Sequence, residues 1–233
     1  MKLKLLAFVA TCVWQAFASK RHEVSKWYPC SVFSNIDGMD HEIAELTAQC
    51  GKFSAPLCYS DVCTAPKSVN QTIELFVKRI PANNPETAIN IWIMGRHFQS
   101  KELTALILYS ELNTTANLYL MDPRGSRKST ILDCGVTTRD PNFEYRMDPA
   151  QVGTCAIDLE SKFGDLAAFS PTSAAHDLFN LISKLSNGAS TFVYGSDYEA
   201  LLVVRLMHLA PPEVTGYILD SPESTTGVYN YYR

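Results

Sequence analysis

Between Thr72 and Leu219 the chain repeatedly sets a strand-length apolar run before a helix-length segment, and this alternation constrains the fold more than any other feature. Residues 72–80 alternate apolar and polar side chains, the pattern of an outer, half-exposed strand. Residues 88–94 (AINIWIM) form a short, nearly continuous apolar run ending at Gly95, as in a strand covered on both faces. Residues 100–112 carry Leu103, Leu106, Ile107 and Leu112 at helical spacing, and 118–121 is another buried-strand run. A second helix is expected from Pro171, with Ser170 as its cap, Ala174, Ala175, Leu178, Ile182 and Leu185 on its inner face, and Gly188 beyond its end. A strand at 191–194 then leads through the turn Gly195-Ser196-Asp197-Tyr198-Glu199 into a helix apolar nearly all round, and 214–219 reads as one more strand. Strands joined by helices of this length imply crossover connections, hence an α/β fold with a mostly parallel sheet and helices on both faces.

The segment before this alternation differs in character. Lys2 and Lys4 precede an apolar run from Leu5 to Trp14, and Ala16-Phe17-Ala18 supplies the small-x-small pattern of a signal-peptidase site. The run is too short to span a bilayer and Ser19-Lys20-Arg21-His22-Glu23 follows it at once, so residues 1–18 are expected to be a cleaved signal peptide of an exported chain. Cys12 would leave with it. The remaining Cys30, Cys50, Cys58, Cys63, Cys134 and Cys155 are even in number, which in an exported chain predicts disulfides. Their connectivity stays open, with Cys134–Cys155, flanking a polar loop at 133–158, the first pair to expect. Residues 19–68 form a Cys-rich, irregular segment with one short helix, in which Ile43, Leu46 and Cys50 share a face and Gly51 is the stop, ahead of a main domain at 69–233.

Composition bounds the partners. The net charge of −4 becomes more acidic once Lys2 and Lys4 are lost, which argues against nucleic acid or an anionic membrane. There is no Cys-x-x-Cys pair and no histidine pair at ligand spacing, so neither a metal nor a cofactor is expected. Asn70-Gln71-Thr72 and Asn113-Thr114-Thr115 are sequons for N-linked glycans.

Strand 191–194, the tight turn and the apolar helix together look like the nucleophile elbow of α/β hydrolases. More narrowly, residues 27–220 resemble secreted microbial peptidases of the S33 family, the prolyl and tripeptidyl aminopeptidase group. The matching pieces are Trp27-Tyr28-Pro29-Cys30, Ile91-Trp92-Ile93-Met94, Asp122-x-Arg124-Gly125-x-x-x-Ser129, Gly164-Asp165-Leu166 and the block 172–220. The resemblance implies an α/β-hydrolase scaffold and a peptidase ancestor acting on peptides.

Each catalytic motif departs from what the resemblance implies. The elbow should read Gly-x-Ser-x-Gly, yet Asp197 stands in the nucleophile position and Glu199 replaces the second glycine, where it should distort the turn or push outward. Ser196 is an alternative nucleophile, but a register shifted by one puts Tyr194 and Tyr198 in the glycine positions. The oxyanion loop, Gly-rich in the family, reads Gly95-Arg96-His97-Phe98-Gln99-Ser100, and Arg127 occupies the second glycine of the downstream motif. The sequence ends at Arg233, so the family's later strands, with the triad acid and histidine, and its substrate cap are expected to be missing; this is a partial α/β-hydrolase fold.

Three readings follow. The first is an exported, catalytically inactive relative that acts by binding, or a remnant; strand 214–219 would then lie at a sheet edge open to a protein partner or a second copy. The alternative is an active aminopeptidase or esterase, with a peptide substrate and a histidine from elsewhere. The third makes Asp197 a carboxylate nucleophile, which still needs a base to hydrolyse the ester.

Overall fold

The computed structural model describes residues 27–33, 47–95, 101–134, 138–139, 145–146 and 149–222. Among these, nine strands and four α-helices occur in the order β1 (Tyr28–Ser31), β2 (Thr47–Pro56), β3 (Thr72–Ile80), β4 (Ile89–Met94), α1 (Lys101–Glu111), β5 (Ala116–Asp122), β6 (Thr138–Arg139), β7 (Tyr145–Arg146), α2 (Val152–Phe163), α3 (Pro171–Leu185), β8 (Thr191–Ser196), α4 (Tyr198–Leu209) and β9 (Val214–Asp220). Seven strands form one sheet in the order β1-β2-β3-β5-β4-β8-β9. β1, β2, β3 and β5 pair antiparallel, while β5, β4, β8 and β9 pair parallel. The sheet is therefore mixed, with the crossover half carrying the parallel pairings.

Alternation along the central strands builds two cores. Trp92 and Met94 of β4, with Tyr119 and Met121 of β5, face α3 and α4, packing with Leu178, Ile182, Val203 and Leu206. Ile91, Ile93, Leu118 and Leu120 face the opposite way, towards Ala105 of α1. Helices thus cover both faces, as the fully apolar runs required. α3 begins as its sequence predicts: the Ser170 hydroxyl accepts from the Ser173 N–H at 3.2 Å and Pro171 takes the first helical position.

Several expectations are corrected. The helix placed near 43–50 does not form over its described part; residues 43–46 lie outside the described residues, and Thr47 onward is a ten-residue strand. Its burial alternates, with Phe53 and Ala55 inside and Lys52, Ser54 and Pro56 outside, a period of two that three apolar residues at helical spacing had obscured. Gly51 is not a helix stop; a Cβ there would lie 3.0 Å from the Phe53 ring and 3.2 Å from Trp27, so the bare backbone admits two aromatic rings. β3 is not an outer strand but lies third in the sheet, between β2 and β5. On α1, Leu103 and Ile107 face solvent while Lys101 and Glu102 are buried, because the helix start lies over charged neighbours. The polar loop at 133–158 is partly structured, with the β6–β7 pair and the first turns of α2 inside it.

The described cysteines pair as Cys30–Cys50, Cys58–Cys63 and Cys134–Cys155, with Cα–Cα distances of 5.9, 5.3 and 5.3 Å. The expected Cys134–Cys155 pair is among them. Such bonds form and persist in an oxidising compartment. No helix among the described residues is long and apolar enough to cross a membrane.

Candidate functional site

The parallel strands bring two loop ends together. β4 is followed by α1 and then β5 on one side, whereas β8 pairs with β4 on the other. The chain crosses from β4 to β5 on one side and later returns past β4 to β8 on the other, and in open α/β sheets ligands bind outside the carboxyl ends of the strands at such a switch point.

At the end of β8 the chain turns sharply. Asp197 has φ 53° and ψ −125°, a conformation that non-glycine residues rarely adopt. Its N–H donates to the Asp220 carbonyl at the end of β9, and its carbonyl accepts from the Ala200 N–H, so the turn is tied to the neighbouring strand and to α4. Gly195 is required here: a Cβ would sit 2.6 Å from Val203 Cγ2 and 3.1 Å from Ala200 Cα. The helix that follows is buried on the face of Ala200, Leu202, Val203 and Leu206 but exposed at Tyr198 and Met207, so it is not buried all round as its apolar sequence suggests. Strand, strained apex and helix, beside the end of β4, reproduce the nucleophile-elbow geometry. The fold is that of an α/β hydrolase.

On this hydrolase scaffold the structure places Asp197 at the apex. Ser196 is the last residue of β8, in register with Asp220, and its hydroxyl lies towards Gly95 at the end of β4. Ser196 therefore keeps strand geometry and does not share the apex. Glu199 corrects another expectation. It neither disrupts the turn nor points outward; it is 8% exposed, turned inward at the start of α4. Burial pushes its carboxyl above the ordinary range, with its own backbone N–H and the charge of Lys101 pulling it back. An acid at a helix N-terminus is also favoured by the helix dipole.

Sequence reasoning missed the charges beneath this turn. Lys101 is buried at the start of α1 and donates to the Met121 carbonyl at 2.6 Å and to the Asp122 carboxylate. Burial lowers its pKa, offset by Asp122. Beside it, Lys78 of β3 bridges Glu102 and the Val32 carbonyl, each at 2.5 Å. Nothing in the local pattern marks these lysines as interior, because burial here is set by long-range pairing.

The Asp122-x-Arg124-Gly125-x-x-x-Ser129 motif is structural. Arg124 and Asp177 have fully buried side chains, joined by two hydrogen bonds of 2.7 and 2.6 Å. The same guanidinium donates to the carbonyls of Leu57, Ala168 and Pro56, and the Tyr59 hydroxyl donates to Asp177 at 2.8 Å. Ser129 accepts from the Phe76 N–H and donates to the Asp122 carbonyl, tying β3 to β5. Arg127, in the place of a glycine, has φ 50°.

Two histidines fall among the described residues, and neither is at the elbow. His176 stacks on Tyr59 at 4.7 Å and lies 3.0 Å from the Asp61 carboxylate; His208 is exposed in the last turn of α4. His22, His41, residues 1–18 and the segment 96–100 with His97 lie outside the described residues. Among the described residues no three His, Cys, Asp or Glu side chains are grouped to hold a metal.

No protein-family model and no curated protein matches the chain. Among solved structures it is similar to the peroxisomal alpha-beta-hydrolase Lpx1 from Saccharomyces cerevisiae (15% identity, TM-score 0.49, covering 78% of this chain and 46% of that one). It is also similar to alpha/beta hydrolase domain-containing protein 10 from mouse (13%, 0.39, 67% and 49%) and to an epoxide hydrolase from Vigna radiata (14%, 0.39, 70% and 39%). The chain spans about half the length of these proteins or less.

The elbow yields a stability prediction. Asp197→Gly removes a strained side chain, a gain of roughly 1–3 kcal/mol, against roughly 0.4–1 kcal/mol for the freer unfolded chain. The variant is expected to have a higher urea midpoint than both the parent and Asp197→Ala. An Asp197→Gly midpoint below that of Asp197→Ala would mean that the backbone is relaxed at this turn.

Proposed function

We propose that this chain is an exported protein on an α/β-hydrolase scaffold, of S33 peptidase ancestry, that does not carry out serine-peptidase catalysis. The observation that carries the reading is the pair of carboxylates at the elbow. Asp197 holds the apex at φ 53° and Glu199 is buried two residues on. An acyl-transfer site has to stabilise negative charge developing on an oxyanion. Two acidic side chains at that turn work against such charge, and the apex side chain is not a serine hydroxyl that a base could activate. The three disulfides and the sequence of the leader support export.

On this reading the protein acts by binding. β9 ends the order of the described sheet, and Val214 to Leu219 carries no charged side chain to guard it, so this edge is the proposed contact for a protein partner or a second copy. A second reading is favoured by the same pair of carboxylates. In it an Asp197 oxygen attacks an electrophilic substrate carbon and displaces its leaving group. A water deprotonated by Glu199 then cleaves the resulting ester, returning the Asp197 carboxylate and releasing an alcohol. Protein carrying residues 19–233 with its disulfides formed decides between them. Aminoacyl and tripeptidyl chromogenic substrates and a simple ester should show no turnover above background, from a chain that melts cooperatively. Turnover abolished by Ser196→Ala would restore the peptidase or esterase. Turnover abolished by Asp197→Ala, and lost or pH-shifted in Glu199→Gln, would establish the carboxylate nucleophile.

A further inference from the structure

Away from the elbow, a groove of about 650 Å³ runs between the β2–β3 ladder and the end of α2. Its lining combines the Lys52–Glu74 ion pair, Asn70, Thr130 and Lys162 with the half-buried ring of Phe163. A hydroxyl, an amide and charged groups beside a flat ring suit a sugar, which has polar edges and an apolar ring face.

Asn70 belongs to the first sequon and is exposed at the rim of this groove. Its side-chain oxygen accepts from both the N–H and the hydroxyl of Thr72, at 3.2 and 3.3 Å, so the amide nitrogen is turned away from the backbone. The turn before it is firmly held. Gln71 donates to the carbonyls of Pro66 and Val69, and Leu57 N–H donates to the Gln71 carbonyl. Gly164, just after α2, lets Pro66 come close: a Cβ there would meet Pro66 Cδ at 2.5 Å. The turn bearing Asn70 is thereby pressed against the helix end that presents Phe163. The second sequon differs. Asn113 has φ 48° past the end of α1, and the Thr115 hydroxyl donates to the Leu112 carbonyl instead of towards Asn113.

We infer that Asn70 carries an N-linked glycan whose first sugars lie in the groove against Phe163. The Asn70 side-chain nitrogen gives up a proton and bonds to the anomeric carbon of the first sugar as that carbon's bond to a lipid diphosphate breaks, so the oligosaccharide passes to the protein and the lipid diphosphate leaves. The inference rests on the export reading above. It is tested by expressing the full chain in a glycosylating secretory host, then mapping peptides of the secreted protein by mass spectrometry after enzymatic deglycosylation in heavy-oxygen water. The expected result is heavy-oxygen label at Asn70 and the loss of one glycan step in Asn70→Gln. The glycosylated protein should also melt about 2–4 °C above its deglycosylated form, with that difference lost in Phe163→Leu, or in Lys162→Ala should the first variant misfold. Secreted protein with unlabelled Asn70 overturns this proposal alone. A chain retained inside the host and unlabelled overturns the export reading with it. A label at Asn70 with no difference in melting overturns the placement in the groove.

Discussion

Arg124→Met is expected to lower stability by about 3–5 kcal/mol, the usual cost of leaving one member of a buried ion pair without its partner. At the slope typical of a chain this long, that is a fall in Tm on the order of 10 °C. The variant strands Asp177 in a site where its side chain has no exposure, and it also orphans the carbonyls of Pro56, Leu57 and Ala168. Burial already pushes the Asp177 carboxyl upward, held back by Arg124 and the Tyr59 hydroxyl, so without the guanidinium it should take up a proton. The double variant Arg124→Met, Asp177→Leu removes both charges and should recover much of the loss, although the three carbonyls stay unsatisfied. Thermal melts of the two variants decide the point. A double variant no more stable than Arg124→Met would assign the cost to the carbonyl contacts and not to the uncompensated charge.

The second large effect is at Trp92. This side chain has no solvent exposure, lies in register with Tyr119 on the adjacent parallel strand, and stacks on it with ring centroids 4.7 Å apart. Trp92→Ala is expected to cost about 3–5 kcal/mol, combining lost transfer energy with a cavity in the middle of the larger core. Trp92→Phe should cost much less. The indole N–H has no hydrogen-bond partner, so its removal takes away a buried, unsatisfied donor while most of the ring volume is kept. Urea unfolding of both variants tests this. A phenylalanine variant as unstable as the alanine one would show that the indole is held by an interaction other than packing.

How much of this was legible in the sequence depends on how local the determining interactions are. The β4, β5 and β8 runs, the Ser170–Pro171 cap and the elbow turn could be read directly, because each is specified by a few consecutive residues. The Asp197 apex was legible for the same reason: a strand, a Gly two residues before, and an apolar helix fix its conformation. β2 was misread because Ile43, Leu46 and Cys50 suggested a helix, while the alternation from Lys52 to Pro56 becomes meaningful only once β3 supplies a partner. α2 was hidden because Cys155 is its only buried residue, so it carries almost no apolar stripe. The charges beneath the elbow were illegible for a different reason. Lys78, Lys101 and Glu102 look like surface residues, and only the arrangement of β3, α1 and β5 gives each a buried partner. Glu199 shows the same limit from the other side: an outward side chain was the reasonable expectation until Lys101 placed a positive charge on the inside.

The pairing of β4 with β8 also sets the order in which the molecule can assemble. β1, β2 and β3 are antiparallel neighbours in sequence, so they can zip together early from short-range encounters. The elbow's support requires Asn90 to meet Thr191 across a sequence separation of 101. Contacts of that span are made late in folding, since chain entropy is lost before they return any energy. The Cys134–Cys155 bond lies inside this excursion and short-circuits 21 residues of it. Closure entropy varies only with the logarithm of length, so this shortening is worth roughly 0.2 kcal/mol in the search. Oxidation of that pair therefore secures the far side of the crossover without speeding its return, and the corner where β4 and β8 meet is expected to be the last part of the described sheet to take shape.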